Sequence, residues 1–182
     1  RGAAAPGSAR RNCPVLQAIA GYDPDDFATV PVPVPDYRAG LDDGVKGLRI
    51  GVPREQFYGL LDPEVRVAVE EALVTLAGLG AEVVDVDAGF RREHVLRAWP
   101  VCVAESQALH AEWFPSRKDD YGADLQQTLS SPLPDAKGLA DAYRASYDIK
   151  EGVRRTFETV DLLVTPTTMR TASVIGEEEV EV

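Results

Sequence analysis

The sequence has few of the residues that build metal sites, disulfides or long apolar segments. Its two cysteines, Cys13 and Cys102, are too few for a disulfide scaffold, which is typical of a reducing cytoplasm. Its two histidines, His94 and His110, belong to neither an H-E-x-x-H pattern nor a Cys/His cluster, so we predict no metal site. No run of about 18 apolar residues is present, and we predict no membrane span. The N-terminal residues also lack the apolar core of a secretory signal.

Positive charge is also scarce in this chain. Lys and Arg number 19 against 30 Asp and Glu, which gives a net charge of −11. Such a balance opposes binding to a phosphate backbone, so we predict no nucleic-acid partner. The 182 residues, 45% of them apolar, indicate a soluble globular protein with one domain-sized core. We therefore predict a cytoplasmic protein.

The first quarter of the chain shows little periodicity. Residues 1–12 (RGAAAPGSARRN) have no apolar repeat, and we predict that they lack stable structure. Residues 13–20 are typical of the last turns of a helix, with Gly21 as its cap. Residues 23–47 predict a long extended linker, because the alternating Val and Pro residues at 30–35 favour polyproline II.

A β-α-β unit is predicted over residues 48–86. Residues 48–52 (LRIGV) alternate as a strand, and a proline follows directly. The triplet DPE at 62–64 is a strong helix start, since Asp caps free N–H groups and Pro suits the first helical position. Residues 82–86 (EVVDV) predict the second strand. We expect the two strands to be parallel, joined by a right-handed crossover.

The second half of the chain predicts helices and one buried strand, at 92–114, 119–130, 137–159 and 161–165. Pro100 should kink or split the first helix near Trp99. Large residues recur on one face of the first and last of these helices: Val95, Trp99, Val103, Leu109 and Trp113 in the former, and Leu139, Tyr143, Ile149, Val153 and Phe157 in the latter.

Several side-chain patterns fail as functional motifs. The glycines near the first strand form neither G-x-G-x-x-G nor a P-loop, so a nucleotide site is not predicted. Glu105 and His110 are five residues apart on one helix and point about 140° apart, which suits a polar face better than an acid–base pair. Ser130 and Ser131 lie in LSSPL without the glycines that a nucleophile turn needs.

The segment TPTT at 165–168 is the strongest local candidate. It delivers hydroxyl groups at the end of a predicted strand, where α/β folds place their sites. A strand that simply ends at a proline with a hydroxyl-rich turn explains the same residues. The pattern leaves both interpretations open.

Several stretches in fixed order carry a family resemblance. They are VLQAIAGYDPDD at 15–26, the linker–strand–helix–strand segment at 41–86, AESQALH at 104–110, DDYGADL at 119–125 and FETVDLLVTPTTMRTASVIGE at 157–177. Together they resemble the amidase-signature family over about residues 13–180. The resemblance implies an α/β fold with a mixed sheet flanked by helices, here incomplete, so that residues 1–182 form a single partial amidase domain.

The resemblance also implies amide hydrolysis by a Ser–cis-Ser–Lys triad, in which one Ser attacks the carbonyl, the second relays a proton and the Lys is the base. In the family these residues lie in a Gly/Ser-rich stretch and at a Lys, both N-terminal to the recognised region. The sequence contains neither, so no catalytic residue and no cofactor is assigned. We predict a partial amidase that is inactive alone, with non-native or truncated ends.

By the same resemblance, this region covers one side of the active-site cleft and shapes substrate choice. Tyr121 and Thr165 are the predicted substrate-binding residues, and the partner of the intact parent is a small amide, with a homodimer as a further expectation. A fragment of the A component of a tRNA-dependent amidotransferase is an alternative, although its usual basic residues are missing near Gln126 and Gln127. A non-catalytic binding module is the other alternative.

Overall fold

The computed structural model describes residues 8–26 and 28–176, with the side chains of 8–11 left out. The chain divides into two compact units, Arg1–Lys46 and Gly47–Val182. Each unit is described by itself below. The single partial domain expected over residues 1–182 stays a prediction.

The first unit contains one helix followed by irregular chain. Helix α1 spans Ser8–Ile19 and continues through Pro14. Residues 8–12 are thus helical, which differs from the lack of structure predicted for 1–12, while 1–7 lie outside the described residues. The Ala and Arg residues before Pro14 have good helix propensity and sustain the extra turn. Residues 20–26 and 28–46 contain turns but neither helix nor strand.

The second unit is built on a three-stranded sheet. Strands β1 (Arg49–Val52), β2 (Glu82–Asp85) and β3 (Leu162–Leu163) lie in the order β2-β1-β3. Both pairs are parallel. The predicted β-α-β unit is confirmed, with the connecting helix α3 at Pro63–Gly78. The sheet of the described residues is parallel throughout rather than mixed, because helical crossovers connect all three strands.

Helix α3 begins and ends as its sequence predicts. The Asp62 side chain accepts a hydrogen bond from the Glu64 N–H at 2.9 Å, which caps the first turn. At the other end Gly80 has a φ of 97°, and the Ala81 N–H donates to the Leu76 carbonyl at 3.1 Å. This is a Schellman-type end, in which glycine supplies the left-handed residue.

The described part of the second unit has four further helices. They are α2 (Arg54–Phe57), α4 (Arg92–His110), α5 (Ala123–Ser130) and α6 (Ala136–Thr156). A 3₁₀ turn at Lys118–Asp120 precedes α5. The short helix α2 was not predicted. Helix α4 continues through Pro100 as one helix, so the predicted split does not occur, and the alternative of a kink stays a prediction. Among the described residues, no helix is long and apolar enough to cross a membrane.

The core of the second unit lies between the sheet and α3. Its buried members are Val52, Tyr58, Leu61 and Leu73, and partly buried apolar residues pack around them: Phe57, Val65, Val69, Val83 and Val164. The sheet ends at β3, so Leu162 is 45% exposed. The strand predicted as buried at 161–165 is therefore an edge strand of the described sheet.

Helices α4 and α6 pack through small residues rather than large ones. Ala142 and Ala145 of α6 are buried, as are Val101 and Val103 of α4. The periodic large residues divide: Val103 is buried and Ile149 is half-buried, whereas Trp99 is 58% and Tyr143 is 51% exposed. The predicted faces are therefore only partly correct, because the buried alanines of α6 allow a close helix contact that leaves Trp99 and Tyr143 outside it.

Candidate functional site

The carboxyl edge of the parallel sheet gathers polar residues from all three strands. Parallel strands end at the same edge, which is where α/β proteins bind ligands. The Val164 N–H donates to the Gly51 carbonyl at 3.0 Å, so Thr165 is the first residue beyond the pairing of β3 with β1. Thr165 is exposed, and its hydroxyl has no hydrogen-bond partner in the described part of the chain. The predicted site residue is therefore available at this edge.

One ion cluster at this edge centres on Arg54, directly after β1. Its guanidinium pairs with Glu70 of α3 and donates from Nε to Asp85 at 2.8 Å. It also lies 5.1 Å from the centre of the Tyr58 ring, a distance suited to a cation–π contact. The cluster joins β1, β2 and α3, and its ionised groups are already paired. We infer that it fixes the edge rather than acting on a substrate.

A second cluster centres on Asp87, just beyond β2. The carboxylate accepts hydrogen bonds from Arg91 Nη1 at 2.9 Å, from the Gly89 N–H at 2.7 Å and from Gln56 Nε2 at 2.9 Å. The Arg91 guanidinium first, and then the Gly89 N–H, lower the pKa of Asp87 to about 2. The Asp87 carbonyl in turn accepts from the Thr156 hydroxyl at 2.9 Å. This loop is thereby tied to the end of α6.

Tyr121 is held in a separate polar and aromatic cluster. Its hydroxyl is 3.1 Å from His110 Nδ1, and its ring is perpendicular to that of Phe114 at a centroid distance of 5.3 Å. Gln126 Nε2 donates to the Tyr121 carbonyl at 2.8 Å. The half-buried tyrosine is thus fixed between the end of α4 and the start of α5. Among the described residues, no hydrogen bond or ring contact joins Tyr121 to Thr165.

The serines and lysines of the described chain do not form a nucleophile–base pair. Ser131 Oγ donates to the Gln127 carbonyl at 2.8 Å, and Lys137 pairs with Asp141. No hydrogen bond joins a Ser to a Lys within residues 12–26 and 28–176. Over the same ranges, no group of three or more His, Cys, Asp and Glu side chains is placed to hold a metal ion. We assign no catalytic residue in this chain.

The two ion clusters were not predicted, although charged residues at the strand ends indicate them. Arg54, Asp85 and Asp87 all lie at or just beyond the ends of predicted strands. Polar residues at such positions meet at one edge of a parallel sheet. Their partner Glu70 lies within α3 and their partner Arg91 directly precedes α4. Arg54 and Glu70 are 16 residues apart and Gln56 and Asp87 are 31 apart, so these pairs require the fold, whereas Arg91 and Asp87 are four residues apart.

A parallel α/β sheet with ordered polar side chains at its carboxyl edge is the architecture of enzymes that bind small molecules at that edge. A family model described as Amidase matches residues 8–181. The chain belongs to the amidase family.

Three relatives illustrate the similarity. An amidase from Pseudomonas putida is 34% identical over 165 residues, which cover 90% of this chain and 35% of the relative. The A component of the glutamyl-tRNA(Gln) amidotransferase of Synechococcus sp. (strain RCC307) is 36% identical over 188 residues, covering 90% of this chain and 39% of the relative. The solved structure of the corresponding component from Thermotoga maritima has a TM-score of 0.67 at 25% identity, covering 93% of this chain and 37% of that one. The chain therefore spans well under half the length of these relatives.

Proposed function

We propose that this chain forms the substrate side of an enzyme that hydrolyses carboxylic amides to an acid and ammonia or an amine. The observation that carries the proposal is the amidase family match over residues 8–181. The ordered Tyr121 supports it, because a tyrosine fixed by His110 and Phe114 offers a rigid wall for a substrate. Thr165 at the sheet edge supplies an unengaged hydroxyl. Both are proposed to contact the amide substrate.

The catalytic groups of the proposed enzyme come from chain outside these 182 residues. No Ser–Lys pair is formed in the described ranges, and the P. putida amidase has about two thirds of its length beyond the match. The exposed large residues of α4 and α6, such as Trp99 and Tyr143, support a packing surface for that further chain. The 182-residue chain alone is accordingly proposed to be inactive.

The A component of an amidotransferase is a second candidate for the parent, since one such protein is 36% identical to this chain. The Gln126 amide is already engaged by the Tyr121 carbonyl, and no basic residue adjoins Gln126 and Gln127 in the sequence to receive a glutamine carboxylate. This favours a general amidase. The proposed location is the cytoplasm, supported by the two free cysteines, Cys13 and Cys102.

A hybrid enzyme tests the proposal. The segment of the P. putida amidase that matches this chain is exchanged for residues 13–180, and ammonia release is measured with simple aliphatic and aromatic amides and with L-glutamine. The unaltered P. putida enzyme is the control for activity, and the 182-residue chain alone is the control for background. We expect release from simple amides by the hybrid and none by the chain alone.

The outcomes separate the candidates. Release from glutamine in strong preference to simple amides favours the amidotransferase. A hybrid that folds cooperatively, yet releases no ammonia from any amide, contradicts the proposal and favours a non-catalytic binding module. Folding is measured by thermal unfolding of the hybrid beside the unaltered enzyme.

A further inference from the structure

A cleft on the second unit, separate from Tyr121 and Thr165, contains two charged side chains, Asp148 and Arg155, that have no hydrogen-bond or ion-pair partner among the described residues. It has a volume of about 550 Å³ and is lined by Gly89, His94, Asp148, Gly152, Arg155, Thr156 and Thr159. That size lies within the range of small-molecule sites, about 300–1,000 Å³. The α6 residues at 148, 152 and 155 share one helical face, because they are spaced by four and three positions. The cleft therefore combines one face of α6 with the start of α4.

Arg155 is the principal donor in this cleft. Its neighbour Arg154 is fully engaged, pairing with Glu151 and Glu158. The Arg155 guanidinium has no hydrogen-bond or ion-pair partner within the described residues. A planar guanidinium with five free N–H groups matches a carboxylate in a two-point geometry. Arg155 is thus the one arginine of this pair that is available to a ligand.

His94 adds a second donor of fixed direction. Its Nδ1 accepts a hydrogen bond from the Arg91 N–H at 3.0 Å. In that tautomer the proton is on Nε2, so the free ring nitrogen is a donor. The interaction is local, spanning one turn at the start of α4. The ring orientation is therefore set by the backbone and not by a ligand.

Asp148 provides the opposite charge. Its carboxylate is exposed and has no partner in the described part of the chain. The hydroxyl protons of Thr156 and Thr159 are already donated to backbone carbonyls, so these oxygens act as acceptors. The cleft thus presents donors around Arg155 and His94 and acceptors around Asp148. A simple anion can accept hydrogen bonds from Arg155 and His94, but it offers nothing to Asp148.

Two of the lining residues are glycines whose backbones lie in contact. A Cβ built on Gly89 would lie 2.5 Å from the Gly152 Cα, so both positions exclude a side chain. This backbone contact holds the turn after β2 against α6 and so fixes two walls of the cleft relative to each other. The net charge of −11 repels anions from the molecule as a whole, so anion binding at this place requires local groups.

From these groups we infer that the cleft binds a small zwitterion of the amino-acid type, with its carboxylate on Arg155 and His94 and its ammonium group on Asp148. The inference does not depend on amide hydrolysis by the protein. Binding is a property of the 182-residue chain and of its second unit alone. A binding experiment on this chain can therefore support or overturn the inference independently of the proposed amide hydrolysis.

Titration of the 182-residue chain with glycine tests the inference. The backbone amide signals of Gly89 and Gly152 are followed by NMR, with acetate and methylammonium as probes that each carry one of the two charges. We expect saturable shifts of both signals with glycine and weaker binding of either single-charge probe. Arg155→Gln should weaken glycine binding by about tenfold or more. The matched variant Arg154→Gln, which removes the same charge outside the cleft, should change it by less than about twofold.

Asp148→Asn tests the second half of the ligand. We expect weaker binding of glycine and tighter binding of acetate, because the variant removes the carboxylate that repels an anion. Arg155→Gln and Asp148→Asn should each leave the thermal unfolding midpoint unchanged, because both side chains are exposed. Three results overturn the inference: no saturable shift with glycine, an equal loss in Arg154→Gln and Arg155→Gln, or identical binding of glycine by wild type and Asp148→Asn.

Discussion

The backbone of Gly152 in α6 lies directly against the backbone of Gly89 in the turn after β2, and a Cβ at either residue would overlap the other. An alanine in a helix interior normally stabilises by about 1 kcal/mol relative to glycine. Here we predict the reverse. Gly152→Ala should destabilise the protein by about 1–3 kcal/mol, because the added methyl group forces α6 away from the turn. Urea unfolding monitored by circular dichroism measures the change.

Gly78→Ala is the matched control for that variant. Gly78 is the last residue of α3, and a Cβ there meets nothing within 4 Å. We expect this substitution to be neutral or to stabilise by up to about 1 kcal/mol. If Gly152→Ala stabilises the protein as much as Gly78→Ala does, the close backbone contact between α6 and the Gly89 turn is wrong.

Asp87 should contribute stability that depends on pH. Hydrogen bonds from Arg91 and from the Gly89 N–H lower its pKa from 3.8 to about 2 in the folded protein. A carboxyl group with a depressed folded-state pKa stabilises the protein above the unfolded pKa and loses that contribution as the pH falls from about 4 towards 2. The effect should stay below about 1 kcal/mol because the side chain is half exposed.

Asp87→Asn should therefore unfold at a lower temperature than wild type at pH 6, and the difference should shrink towards pH 2. Thermal unfolding at a series of pH values measures it. The control is Asp119→Asn, at an exposed carboxylate without a partner among the described residues. A constant difference between Asp87→Asn and wild type over the whole pH range would contradict the assigned hydrogen bonds.

Tyr58 carries a hydroxyl that the core does not satisfy. The residue is 3% exposed, and its hydroxyl oxygen has no hydrogen-bond partner in the described chain. Burial raises the pKa of this tyrosine. Removing an unsatisfied buried group relieves its desolvation cost, so Tyr58→Phe should leave stability unchanged or raise it by about 1 kcal/mol. A loss of more than about 1 kcal/mol in urea unfolding would show that the hydroxyl has a partner.

Local features of the sequence were sufficient to predict the β-α-β unit. Asp62 caps α3, Gly80 ends it, and short runs rich in Val and Ile form the two strands, all through features within a few residues. Helix α2 was not predicted because four residues at Arg54–Phe57 are too short for a periodic pattern. Helix α4 continues through Pro100 because its packing on α6 outweighs the loss of the backbone hydrogen bond that proline cannot donate.

The complete buried faces and the partners within the charged clusters could not be predicted from the same features. Whether Tyr143 or Ala142 faces α4 depends on how closely two helices approach, and apolar periodicity favours the larger residue. The hydrogen bond from Thr156 to the Asp87 carbonyl joins residues 69 positions apart. The cleft around Arg155 likewise depends on α6 meeting the start of α4. Only the tertiary contacts place these residues together.

The KM of the hybrid enzyme for a simple amide is the most direct measure of whether this chain forms the substrate side of an amidase. Tyr121→Phe and Thr165→Val each remove one hydroxyl while preserving shape, and Tyr147→Phe is the control at an exposed tyrosine on α6. We predict that the first two variants raise KM by about three- to tenfold with kcat within about twofold, and that the control changes neither. An unchanged KM in both Tyr121→Phe and Thr165→Val, with the hybrid active, would contradict the proposed role of this chain.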